Sequence, residues 1–229
     1  MKYFRGLASF LWTLILYAGL PMIGWGIDDI GGFFEYPQRI WYVVSIAGFG
    51  AVAACQMIRL PESFHGGMGK TEKFVPRQRI VRIAVTLLLF IGLVLVPYAD
   101  RRSLLVMADS SILRWCGLLL ATLGLGLIFW SGLTLGRFYS QEVTLQEGHR
   151  LITHGPYRLV RHPRYLGILF LGIGQSLLFR SWIGLGLTAL VMVIVLFRIR
   201  DEEALMRREF GEEWETYSRR SNKLFPHLW

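Results

Sequence analysis

The chain has 229 residues, of which 53% are hydrophobic, 14% aromatic and only 18% charged, with a net charge of +9. An ordinary soluble domain carries about 25% charged residues, so this composition argues against one, and the bunching of the apolar residues points to a membrane. The positive charge flanks apolar segments and forms no separate basic module, which argues against nucleic-acid binding.

In chain order, apolar runs occupy residues 7–27, 40–58, 80–98 and 112–133, followed by a close pair at 165–179 and 182–197. A span needs about 20 apolar residues. The first four meet this, and the last two are short and read as a helical hairpin that crosses and returns. Lys2 and Arg5 precede the first run, as in a secretory signal, but no small-residue cleavage pattern follows, so it reads as an uncleaved span.

Charges between the runs set an orientation. Segment 59–79 holds Arg59, Lys70, Lys73, Arg77 and Arg79; segment 134–164 holds Arg137, Arg150, Arg158, Arg161 and Arg164; the tail 198–229 is richer still. Loop 28–39 has Arg39 against Asp28, Asp29 and Glu35, and loop 99–111 balances Arg101 and Arg102 with Asp100 and Asp109. The positive-inside rule then puts both termini and the basic loops in the cytoplasm, with six crossings of a prokaryotic-type cell membrane and contacts with anionic lipid. The expected fold class is an all-α integral membrane protein of about six transmembrane helices with a cytoplasmic C-terminal helix. It forms one membrane domain: a four-span region at 1–133 and a functional region at 134–229.

Cys55 and Cys116 lie inside runs and read as buried, inert thiols rather than a disulfide pair. Gly66, Gly67, Gly69 and Lys70 look like a phosphate loop but lack its spacing, so this segment reads as a flexible loop. Glycines recur at 117, 124, 126, 132, 136, 167, 172 and 174, where small residues let membrane helices approach.

Function-capable residues concentrate in GPYRLVRHPRYLG (155–167). Pro156 and Pro163 bar a continuous helix, and Pro163 suits the first turn of the helix that enters the bilayer. His162 and Tyr165 then sit at a helix N-terminus, where unpaired N–H groups favour an anionic group. Irregular polar backbone at membrane depth belongs where it is buried or lines a cavity. The spacing of His149, His154 and His162 matches no metal-binding pattern, so no metal is expected. Further on, Arg198 and Glu202 are four apart and share a helix face, with Arg200 and Glu203 beside them. The hairpin returns this cluster to the same side as 155–165. The last span continues into an amphipathic helix, with a kink or an end at Gly211.

From Gln146 to Trp229 the chain resembles the isoprenylcysteine carboxyl methyltransferase family and, more broadly, the membrane phospholipid methyltransferases. The resemblance rests on Gln146, HRLI (149–152), GPY (155–157), RHP (161–163), YLG (165–167), Arg198 with Glu202-Glu203, FGEEWETY (210–217) and Phe225-Pro226. It implies S-adenosyl-L-methionine as cofactor, lined by Gln146, His149, Leu151, Ile152, Gly155, Tyr157, Arg161, His162, Pro163, Tyr165 and Glu202. Arg198, or Arg200 in its place, would face a lipophilic acceptor from the bilayer, with Glu202 and Glu203 alongside. A carboxylate acceptor needs no strong base, whereas an amine would need a proton acceptor, for which Glu203 is the candidate. Two readings stand beside this one: an NADPH-dependent membrane sterol or steroid reductase, whose C-terminal region is similar, and a non-catalytic membrane protein. The acceptor's identity and the oligomeric state stay open. Far from this region, Arg114 reads as a residue whose loss should leave cofactor binding intact.

Overall fold

The computed structural model describes residues 2–59, 73–74, 76–136, 144–145 and 151–225. The first long helix runs through α1 (Lys2–Leu14), one π-turn (Ile15–Gly19) and α2 (Leu20–Trp25). Pro21 explains the wide turn, because it lacks the N–H that an unbroken α-helix would use and its ring crowds the carbonyl four residues back. After a short α3 (Ile30–Phe33) come α4 (Pro37–Arg59), α5 (Pro76–Arg101) and α6 (Ser111–Leu135). The hairpin is α7 (Pro163–Leu178) and α8 (Trp182–Arg220). β1 (Lys73–Phe74) and β2 (Thr144–Leu145) form a two-residue antiparallel pair.

Helix starts follow local chemistry. Ser110 and Ser181 cap α6 and α8 by accepting from the N–H groups of Leu113 and Gly184 at 3.4 and 3.1 Å. Pro163 occupies the first turn of α7, as its position in the sequence predicts. Five helices among the described residues are long and apolar enough to span a bilayer; α7, at 16 residues, is the short arm of the hairpin and is not one of them, against the six crossings expected. The protein is thus an integral, multi-pass membrane protein. Trp41, Trp115 and Trp182 stand exposed near the starts of α4, α6 and α8, at one end of the bundle, where aromatic side chains suit a membrane interface.

The tightest seam joins α6 to α7. A Cβ on Gly124 would fall 2.5 Å from the Leu171 nitrogen, and one on Gly174 would fall 2.3 Å from the Ala121 nitrogen. Only hydrogen fits there, so the glycine pattern fixes α7, and the polar segment at its start, against α6. Two apolar cores result. One gathers Phe33, Tyr42, Ile46, Ala121, Leu178 and Phe179; the other gathers Val160, Leu166, Val191, Val195, Ile199 and Leu224.

The first core carries a buried charge cluster that the sequence did not announce. Asp100, 3% exposed, accepts from Arg39 Nη2 at 2.5 Å, from Arg180 Nη2 and Nε at 2.7 and 2.9 Å, and from Arg114 Nη1 at 3.4 Å. Arg39 and Arg114 also stack on the Tyr36 ring, at 4.8 and 4.0 Å. These residues read as charges of short loops and span ends; the fold draws them inside. Arg114, far from the family-like region as expected, is fully buried and also donates to the Leu178 carbonyl at 2.7 Å. The cysteine expectation is corrected, since Cys55 and Cys116 are both exposed on the outer face of the bundle. Apolar surroundings are equally available in lipid and in the core, so hydropathy could not separate the two.

Candidate functional site

The site is assembled at the end of the bundle opposite the charge cluster. Gly155 opens a 3₁₀ turn over Gly155–Arg158 with φ +60°, a backbone region glycine enters without strain, and a Cβ there would meet Thr134 Oγ1 at 2.9 Å. Tyr157 is buried by this turn. Burial pushes its hydroxyl's pKa well above the ordinary tyrosine value. Leu151 and Ile152, half-buried, lead into the turn. Gln146 and His149 lie outside the described residues.

His162 precedes Pro163 at the start of α7 and is 9% exposed. It stands between two carboxylates of α8: its Nδ1 is 3.6 Å from Glu202 Oε2 and its Nε2 is 3.4 Å from Glu203 Oε1. The Nε2 contact is within ion-pair range but lacks hydrogen-bond geometry, so this buried nitrogen keeps an unused hydrogen-bonding position. One turn into α7, the Tyr165 hydroxyl donates to Glu202 Oε1 at 2.5 Å. Arg198 Nε is shared between that hydroxyl, at 2.7 Å, and Glu202 Oε1, at 2.9 Å. The His162 and Tyr165 rings lie nearly parallel, 5.7 Å apart.

The structure separates residues that the sequence could only list together. Arg198 is buried and faces α7, whereas Arg200 is exposed and lies over the Phe197 ring. Glu202 joins Tyr165, Arg198 and His162. Glu203 turns instead to Arg161 Nε at 2.9 Å and Lys223 Nζ at 3.4 Å. Pro163 contributes backbone shape and no polar group. Sequence reasoning gave no role to Lys223 or to Tyr217, whose hydroxyl donates to the Tyr157 carbonyl at 2.7 Å. Tyr217 lies in the quoted FGEEWETY stretch, so a signal for it existed; Lys223 carried none beyond its charge.

A cavity of about 730 Å³ opens between Leu151, Thr153 and Arg158 on one side and Glu212, Glu213 and Tyr217 on the other. Its size suits a small ligand. Among the described cofactor-lining residues that the family resemblance implied, only Leu151 lines it; His162, Tyr165 and Glu202 lie apart from it. The His162–Glu202 cluster and the cavity thus flank the Tyr157–Arg161 turn without merging. Among the described residues no group of three or more His, Cys, Asp or Glu side chains forms a metal site.

Comparison with known proteins bears on this region. Residues 112–213 match the phospholipid methyltransferase family. A rice probable protein-S-isoprenylcysteine O-methyltransferase is 31% identical over 119 residues, covering 50% of this chain and 61% of the relative. Protein-S-isoprenylcysteine O-methyltransferase A of Arabidopsis thaliana is 33% identical over 89 residues, 38% of this chain and 45% of its own length. The cobalt-zinc-cadmium resistance protein CzcN of Cupriavidus metallidurans is 35% identical over 120 residues, 50% of this chain and 52% of the relative. The chain therefore spans about half of each of these relatives. The solved eukaryotic intramembrane Ras methyltransferase shares the fold, with a TM-score of 0.51 at 21% identity, covering 97% of this chain and 75% of that one.

Proposed function

We propose that this chain belongs to the isoprenylcysteine carboxyl and phospholipid methyltransferase-like membrane family and transfers a methyl group to a lipophilic carboxylate of the prenylcysteine type. One observation carries the reading: α7 and α8 bring His162, Tyr165, Arg198 and Glu202 into one half-buried cluster at a helix start. The relatives support it, and they lend nothing to the reductase reading.

The cofactor that fits is S-adenosyl-L-methionine, a sulfonium with an ammonium and a carboxylate. The donor set matches its charges. Glu202 suits the cations, and the unused Nε2 position of His162 suits the carboxylate. Leu151, Ile152, Gly155 and Tyr157 shape the adjoining wall, with Gln146 and His149 expected to complete it. When bound, the cofactor supplies an electrophilic methyl group, so the chain has little proton chemistry to perform.

The work left to the protein is alignment and exclusion of water. Val191, Val195 and Ile199 form a dry wall on the same helix as Arg198. The Arg198 guanidinium, held between Tyr165 and Glu202, is placed to orient an acceptor carboxylate. Glu203 is a poor proton acceptor, because Arg161, Lys223 and His162 crowd it with positive or donor groups. That arrangement favours a carboxylate acceptor, which needs no base, over an amine. The charge bias of the loops supports placing this end of the bundle, and both chain ends, at the cytoplasmic face.

Titration calorimetry of S-adenosyl-L-methionine and of NADPH into the detergent-purified protein tests the reading. Saturable binding of the sulfonium alone is the expected result. Binding of NADPH alone would replace it with the reductase reading.

A further inference from the structure

The family resemblance places Arg161 among cofactor-lining residues, yet its side chain points elsewhere. It is 10% exposed, and its Nε donates to Glu203 Oε1 at 2.9 Å. Its Nη1 donates to the carbonyl of Ser218 at 2.8 Å and also to that of Ser221. These carbonyls close the C-terminal end of α8, where the helix dipole favours a cation. One guanidinium thus joins three pieces of chain: the loop before α7, the first limb of α8, and the end of its second limb.

The second limb exists because Gly211, at φ +49° and ψ −120°, breaks the helical course of α8. Residues 212–225 then return to the loop. The Asn222 N–H donates to the Leu159 carbonyl at 3.1 Å, and the Arg161 N–H donates to the Asn222 carbonyl at 2.7 Å. The His162 N–H donates to the Lys223 carbonyl at 3.2 Å. Leu224, 2% exposed, plugs the second core. The returning limb forms one wall of the 730 Å³ cavity, and the loop at 151–158 forms the other.

We propose that Arg161 is a positioning residue: it clasps the returning limb to the loop and so holds His162 and Glu202 in register, without touching cofactor or acceptor. This rests on the methyltransferase reading above. The limb closes only while its end is tied, and affinity falls with the fraction of molecules in the tied state. Glu203 and Lys223 form the other half of the clasp, which explains why the chain carries two adjacent glutamates with different partners.

Backbone hydrogen exchange on the ligand-free protein, paired with calorimetric titration of S-adenosyl-L-methionine, tests this. In Arg161→Ala, exchange of amides in 212–224 should accelerate at least tenfold, while amides of α4–α6 keep wild-type protection. The dissociation constant for S-adenosyl-L-methionine should rise about tenfold. Arg161→Lys, with one donor group in place of a fork, should recover protection and affinity together. Lys223→Ala should loosen the same amides less, and it carries the test if Arg161→Ala does not fold. Lost affinity with unchanged exchange in 212–224 would mean that Arg161 contacts the cofactor, and would overturn the proposal. Accelerated exchange with unchanged affinity would overturn it too, leaving a purely structural tie. If the wild type fails to bind S-adenosyl-L-methionine, the methyltransferase reading falls, while the exchange arm still decides whether the clasp exists.

Discussion

Replacing Asp100 by Asn removes one negative charge from among three buried guanidiniums and changes almost no volume. Asp100 takes four close donations, at 2.5, 2.7, 2.9 and 3.4 Å, from Arg39, Arg180 and Arg114. Breaking a buried pair by removing one partner costs roughly 3–5 kcal/mol. Asn still accepts one or two of these bonds, and Arg114 keeps Asp109 at 3.0 Å, so the lower end applies, about 3 kcal/mol. At about 2–4 °C per kcal/mol for a chain of this size, the melting temperature should fall by roughly 6–12 °C. Tryptophan fluorescence on heating the detergent-solubilised protein measures it, and calorimetry below both transitions measures S-adenosyl-L-methionine binding. Affinity should stay within about twofold of wild type, because the cluster lies at the opposite end of the bundle. A shift under 2 °C would refute the view that this cluster holds the first core together. An affinity loss at unchanged melting temperature would refute the separation of the two ends.

Other outcomes follow from the same geometry. Glu202→Gln should weaken S-adenosyl-L-methionine binding by about tenfold to a hundredfold and also lower the melting temperature by a few degrees, since it takes the carboxylate from the buried Arg198 but keeps the shape; Arg102→Ala, on an exposed residue at the far end, should change neither. Gly174→Val should abolish recovery of monodisperse protein on size-exclusion chromatography, because its Cβ would sit 2.3 Å from the Ala121 nitrogen. Tyr217→Phe should cost about 1 kcal/mol through the lost bond to the Tyr157 carbonyl, lowering the melting temperature by about 2–4 °C. The hydrogen bond from Arg101 holds the exposed Asp28 carboxyl at about 2, below its ordinary 3.8. The folded value is depressed, so its stabilisation is complete above 3.8 and lost as pH falls towards 2. The melting-temperature gap between wild type and Asp28→Asn should therefore be constant from about pH 7 to 5 and close only below about pH 4.

Much of the site was legible because its signals are local. Two prolines bar a continuous helix across 153–163, where the chain makes only a short 3₁₀ turn before Pro163 starts α7, and four-residue spacing puts Arg198 and Glu202 on one face, as the 2.9 Å bond confirms. Gly211 read as a kink or an end, and it is a kink. Which arginine faces inward, and which glutamate belongs to the cluster, depended on the rotation of α8 against α7. At about 100° per residue, Arg198 and Arg200 point to nearly opposite sides of α8 and Glu202 and Glu203 about 100° apart, so only packing against α7 selects which side turns inward.

By itself, the sequence determined the helical spans, their punctuation and the pairing of the last two, because the bilayer demands long apolar helices and proline and glycine interrupt them by covalent geometry alone. Tertiary structure decided what lies inside. Lipid and protein core are both apolar, so nothing in the hydropathy of Cys55 and Cys116 told outward from inward. Arg39, Asp100 and Arg180 are 61 and 80 residues apart in their pairings, and no local pattern links them. They meet because the hairpin turn at Arg180 folds onto the ends of α4, α5 and α6, where burial makes pairing obligatory for a charge.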